Sequence, residues 1–133
     1  MRRADEPMIM IVDDDPDMLL MMSTALEREG YHVNARAVPP NWIELRKVHP
    51  TLIFMDVELM PYNGARVCRS IKENFQNWPL AIVLTSGHTY DQLAQEARYC
   101  HADAFLTKPF DRSALMRMAD RYVHVRPRMI GNG

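Results

Sequence analysis

The sequence has no apolar run near the roughly 18 residues that a membrane-spanning helix needs. Residues 1–7 run from basic to acidic and lack the apolar centre of a secretory signal. Cysteine is scarce: Cys68 and Cys100 stand alone, without the paired spacing of a thiolate metal site. Both fall in expected helices and read as small buried thiols of a reducing cytoplasm, not as a disulfide. Neither sign of charge is in excess. Sixteen Lys and Arg face 17 Asp and Glu for a net charge of −1, which excludes binding nucleic acid or membranes by bulk electrostatics. There is no internal repeat and no low-complexity tract. The 133 residues, 47% hydrophobic and 25% charged, suit one soluble domain with one core.

Short apolar runs alternate with amphipathic stretches. Residues 8–12 read as a first strand, followed by Asp13-Asp14-Asp15-Pro16 and a helix over 16–29. Its expected inner face is Leu19, Leu20, Met22, Ser23 and Leu26, with Gly30 as the stop. A weaker edge strand covers 31–35, and Pro39-Pro40 opens a helix that closes near Val48. Strands over 51–55, 80–84 and 104–106 alternate with helices over 64–74, 90–100 and from about 111 to 125. Residues 60–64 and 85–87 read as loops, and the inner face of the 64–74 helix as Val67, Cys68 and Ile71. Five β–α units imply a parallel sheet covered on both faces, a doubly wound α/β fold of the flavodoxin-like type. The expected strand order is 2-1-3-4-5, which sets strands one and three side by side at the switch point. The expected domain is 7–125, with an extension over 1–6 and a loose tail over 126–133.

That topology brings Asp13, Asp14, Asp56, Thr85 and Lys108 to the carboxyl ends of four strands. Three converging carboxylates repel one another and call for a cation. Magnesium suits them, since it takes one or two carboxylates and keeps several waters. A carboxylate can also act as a nucleophile. A magnesium ion, the Lys108 ammonium and the Thr85 hydroxyl would then stabilise phosphoryl oxygens.

With these residues in place, the chain resembles the receiver domain of two-component response regulators over residues 7–124. The motifs carrying the resemblance are Ile11-Val12-Asp13-Asp14-Asp15-Pro16, Phe54-Met55-Asp56 with Asn63-Gly64, Leu84-Thr85-Ser86, and 102–110 through Lys108-Pro109-Phe110. The resemblance implies that Asp56 is the phosphoacceptor, served by a sensor histidine kinase or a histidine phosphotransfer protein. It implies Mg2+ held by Asp14 directly, by Asp13 through water, by Asp56, and by the backbone carbonyl of Glu58. Thr85 would swing onto the phosphoryl group, Lys108 would contact it, and Phe105 would be an aromatic switch that turns inward. Lys108-Pro109 would be cis. Output would go to a downstream protein, from a monomer or weak dimer, with no direct nucleic acid and no membrane. Such a switch catalyses only its own phosphorylation and dephosphorylation and is otherwise not an enzyme.

The sequence departs from the family pattern at three places. Met60 stands where proline is usual and Pro61 follows it. Glu58 adds a carboxylate, expected to compete with the phosphoryl group or shield the attacking water and so set the phosphate's lifetime. Cys100-His101 replaces Ala-Gly and is expected to alter the helix end alone. His88 is expected to be a solvent-exposed loop histidine, and the Arg112, Arg117 and Arg121 series a solvated face.

Three other functions compete. A pseudo-receiver, working unphosphorylated, draws support only from the displaced Pro61. A magnesium-dependent aspartyl-phosphate phosphatase would use Glu58 as general acid, but no lid or substrate domain is expected to serve it. A flavodoxin-like nucleotide binder needs a hydroxyl- and glycine-rich loop where this chain has an acid triplet.

Overall fold

A computed structural model describes residues 6–124. Five parallel strands, β1 (Met8–Val12), β2 (His32–Arg36), β3 (Leu52–Asp56), β6 (Ala81–Ser86) and β7 (Ala104–Thr107), form one sheet in the order β2-β1-β3-β6-β7. This is the expected 2-1-3-4-5 order of a flavodoxin-like fold. A two-residue hairpin, β4 (Glu58–Leu59) with β5 (Tyr62–Asn63), follows β3. The helices are α1 (Pro16–Arg28), α2 (Trp42–Val48), α3 (Gly64–Asn74), α4 (Tyr90–Cys100) and α5 (Arg112–His124). The expected 126–133 tail and all but residue 6 of the 1–6 extension lie outside the described residues.

Side chains alternate across a strand, so each central strand serves two cores. Met10, Val12, Ile53, Met55, Ile82 and Leu84 pack on one face with Leu45, Cys68, Ile71, Leu93 and Cys100 from α2, α3 and α4. Ile9, Ile11, Leu52, Phe54 and Val83 pack on the other with Met22, Leu26, Leu115, Ala119 and Val123 from α1 and α5. Burial on both faces explains why these strands read as unbroken apolar runs. Both cysteines are buried and free, and the Cys68 thiol donates to the Cys100 carbonyl at 3.6 Å.

Several boundaries and faces differ from expectation. Helix α2 begins at Trp42, because Asn41 and Glu44 form a reciprocal capping box that Pro39-Pro40 only lead into. In α1 the inner stripe is Met22, Ala25 and Leu26, spaced three and four apart, while Leu20 points outward at 66% exposure. Thr85 and Ser86 are strand, not loop, because β7 continues their pairing: Thr85 opposite Leu106 and Ser86 opposite Thr107. Residues 60–63 are not a plain loop but the turn and second strand of the hairpin, with Met60-Pro61 cis, and Gly64 opens α3; Lys108-Pro109 is cis as well. His101 ends α4 in the left-handed region at φ 61, the place where glycine is commonest.

Gly64 ties the hairpin back to the sheet. Its N–H donates to the Val57 carbonyl at 2.8 Å, and Asn63 caps α3 by accepting from the Ala65 and Arg66 amides. A Cβ at Gly64 would sit 1.8 Å from the Asp56 carbonyl oxygen, against backbone that cannot yield. Gly64→Ala is therefore expected to cost about 2–3 kcal/mol or more in urea unfolding. Gly87→Ala, where an added Cβ meets nothing within 4 Å, should stay within about 0.5 kcal/mol.

Candidate functional site

The strand ends deliver the acids to one spot. Parallel pairing sets Val12 beside Met55 and Asp56 beside Thr85, so the residues just beyond β1 meet the last residue of β3. One carboxylate oxygen each from Asp13, Asp14 and Asp56 lies within 4.8 Å of the others. Asp13 and Asp56 are buried at 1% and 2% exposure, whereas Asp14 faces solvent. Asp15 keeps a separate task, capping α1 by accepting from the Asp17 amide at 3.0 Å with Pro16 in the first turn.

Lys108 reaches this cluster from the end of β7, where its N–H donates to the Ser86 carbonyl at 2.7 Å. Its ammonium donates to Asp13 Oδ2 at 2.8 Å and lies 3.4 Å from Asp56 Oδ2. Asp13 Oδ1 accepts from the Asp15 amide at 2.9 Å and Asp56 Oδ1 from the Glu58 amide at 3.3 Å. One ammonium facing three carboxylates leaves the acids in excess. Burial, and then the charge of Asp13, push the Asp56 carboxyl up from 3.8 to about 7, against the pull of Lys108. Burial pulls Lys108 down, but its hydrogen bond to Asp13 and the charges of both aspartates outweigh that and leave it raised.

Thr85 is buried on the strand beside Asp56, and the Val57 amide donates to its carbonyl at 2.9 Å. Phe105 is half-buried on β7 and meets Tyr90, at the start of α4, edge to face at 5.0 Å between centroids. The Glu58 carboxylate is directed to the β6–α4 loop. It accepts from Ser86 Oγ at 2.7 Å and from the Gly87 amide at 3.4 Å, and lies 3.2 Å from His88 Nε2. His88 departs from the expected solvated loop residue, because its other ring nitrogen meets Glu96 at 2.8 Å. The Glu96 bond is the main reason its pKa is raised, with burial opposing and Glu58 adding. Glu96 and Tyr90 had no local signal in the sequence, since only the docking of α4 brings them near the site. Arg112, Arg117 and Arg121 are exposed on α5.

The family model described as the response regulator receiver domain matches residues 9–120. The chain belongs to the response regulator receiver family. It is 31% identical over 109 residues to the response regulator ArlR of Staphylococcus saprophyticus, covering 81% of this chain and 48% of that protein. The chain thus spans about half the length of the curated relatives it matches. A response-regulator receiver domain from Bermanella marisrubri superposes with a TM-score of 0.78 at 27% identity, covering 90% of this chain and all of that one. The receiver domain of NtrX from Brucella abortus gives 0.75 at 26% identity, with coverage of 88% and 98%. Vibrio cholerae CheY4 shares the fold at 0.76 and 23% identity, with coverage of 88% and 98%. Among the described residues of the receiver no helix is long and apolar enough to cross a membrane.

The raised Asp56 carboxyl links stability to pH. Its folded value near 7 lies above its ordinary 3.8. Its contribution is therefore whole below about pH 4 and is lost as pH rises through about 7. Asp56→Asn should stabilise the metal-free protein by on the order of 1–4 kcal/mol near pH 8, with the gain fading toward about pH 4. Urea unfolding of both proteins at the two pH values measures this.

Proposed function

We propose that this receiver is a phosphorylation switch in which Asp56 takes a phosphoryl group from the histidine of a sensor histidine kinase or a histidine phosphotransfer protein. The observation carrying the proposal is the meeting of Asp13, Asp14 and Asp56 with Lys108 at the carboxyl ends of the strands. An Asp56 carboxylate oxygen forms the new bond to phosphorus, and the imidazole nitrogen of the donor leaves with its electron pair. Lys108 offsets the charge gathered there, and the Thr85 hydroxyl bonds a phosphoryl oxygen once the group is in place.

The donor set fits magnesium: hard oxygens only, two of them buried, with negative charge that Lys108 leaves unbalanced. Asp13, Asp14 and Asp56, with the Glu58 backbone carbonyl, would hold the ion. When bound, it supplies positive charge that draws phosphoryl oxygens to Asp56 and lowers the cost of gathering them. Burial, and then the charge of Asp13, disfavour an ionised Asp56, and a bound cation would offset both.

The output follows from a change of shape near the modified residue. Phe105 and Tyr90 connect β7 to α4, and Phe105 adjoins Leu106, the strand partner of Thr85, so a shift of Thr85 alters a surface that a downstream protein can read. The chemistry is limited to the protein's own phosphorylation and dephosphorylation, with no second substrate, in the cytoplasm and as a monomer or weak dimer.

Intact-mass measurement after incubation with acetyl phosphate tests the proposal. The expected result is a gain of one labile phosphoryl group that requires magnesium and is absent in Asp56→Ala. No gain under any condition would leave a receiver that works unphosphorylated. Rapid turnover of varied phosphoesters would instead make it a phosphatase.

A further inference from the structure

A chain of polar contacts leaves the phosphoacceptor and ends on helix α4. The Glu58 amide donates to Asp56 Oδ1, while the Glu58 carboxylate accepts from Ser86 Oγ and the Gly87 amide. The Ser86 hydroxyl oxygen in turn accepts from the His88 amide at 2.9 Å. His88 stands between Glu58, at 3.2 Å from Nε2, and Glu96, at 2.8 Å from Nδ1. Helix α4 holds Glu96 in place independently of these contacts. The Thr89–Gln92 capping box fixes its start, and Leu93, Ala97 and Cys100 bury its inner face. Glu96 lies between Leu93 and Ala97 on that helix and is itself half-buried.

Glu58 lies two residues from Asp56, so the direction of its side chain decides where one negative charge falls. Held at the end of β6, the carboxylate is hydrogen-bonded by Ser86 and Gly87 and faces His88. Released from those contacts, a carboxylate two residues from Asp56 is free to turn toward an approaching anionic phosphodonor. Ser86 and Gly87 belong to a segment next to Thr85, and their hold on Glu58 is shared with His88. Glu96 is the remote anchor of that histidine.

We infer that Glu96, acting through His88, is a positioning residue for phosphorylation: it keeps the Glu58 carboxylate on Ser86 and Gly87 and out of the entry path of the donor. The inference rests on the reading of Asp56 as phosphoacceptor. Its signature is selectivity by donor charge. A like charge near the entry path weakens the approach of an anion in proportion to that anion's charge, whereas a general loosening of the site slows every donor alike.

The test compares wild type, Glu96→Gln, Glu58→Gln and the double variant as full chains with magnesium. Rates of Asp56 labelling are followed by intact mass against the concentration of acetyl phosphate and of phosphoramidate, which carries less negative charge. Glu96→Gln should raise the acetyl phosphate concentration for half-maximal rate roughly three- to ten-fold, with a clearly smaller rise for phosphoramidate. Adding Glu58→Gln should return it to the value of the Glu58→Gln single variant. A Glu96→Gln protein that matches wild type, loses equally with both donors, or is not restored by Glu58→Gln would overturn the inference. Wild type that takes no phosphoryl group would overturn the phosphoacceptor reading and this one together. Wild type that labels normally beside unchanged variants overturns this one alone.

Discussion

The Lys108 ammonium, held between two buried carboxylates, is the contact on which the site depends. It lies 2.8 Å from Asp13 and 3.4 Å from Asp56, in a bowl where both acids are nearly sealed from water. Without a cation there, two unpaired charges would stay buried in contact, an arrangement that proteins avoid by protonation or by loss of structure. One ammonium is still too little for three acids. Burial, joined by the charge of Asp13, pushes the Asp56 carboxyl up to about 7 despite Lys108. The resting site is thus assembled yet under electrostatic load, and a divalent cation is the natural complement to it.

The fold supplies this arrangement through register. Two layers of helices bury both faces of the sheet, so the central strands cannot slip without exposing a core. Fixed register carries Asp13 and Asp14 past the end of β1 to the level of Asp56 on β3, and Lys108 past the end of β7 to meet them. Beyond Asp56 the chain must turn at once, and Gly64 makes this possible by lying against the Asp56 carbonyl where no side chain fits. The extra carboxylate of Glu58 is accommodated by donors at the end of β6 and on the loop after it. The same strand ends therefore gather charge and distribute it.

Much of this was legible in the sequence, for physical reasons. Strands buried on both faces are apolar, so β1, β3 and β6 stood out, and the acids after β1 and at the end of β3 marked the functional edge. The doubly wound order followed from the β–α alternation. What escaped was set by tertiary contact. Ser86 and Thr85 read as loop because nothing local reveals that β7 extends the pairing to Thr107. Residues 60–64 read as loop because the two-residue strands of the hairpin have no period to detect. Leu20 read as core because composition suggested it, although its angle on α1 points it to solvent. His88 read as solvated because Glu96, eight residues along, reaches it only once α4 is docked.

The central claim is that Asp56 carries the unrelieved charge of the cluster and that a bound cation relieves it. The most direct measurement is calorimetric titration of magnesium into the protein near pH 7 in buffers of different ionisation enthalpy. With Asp56 titrating at about 7, binding is predicted to release roughly half a proton per ion, and Asp56→Asn should abolish that release. Magnesium that binds without releasing a proton, or a release that persists in Asp56→Asn, would contradict the account.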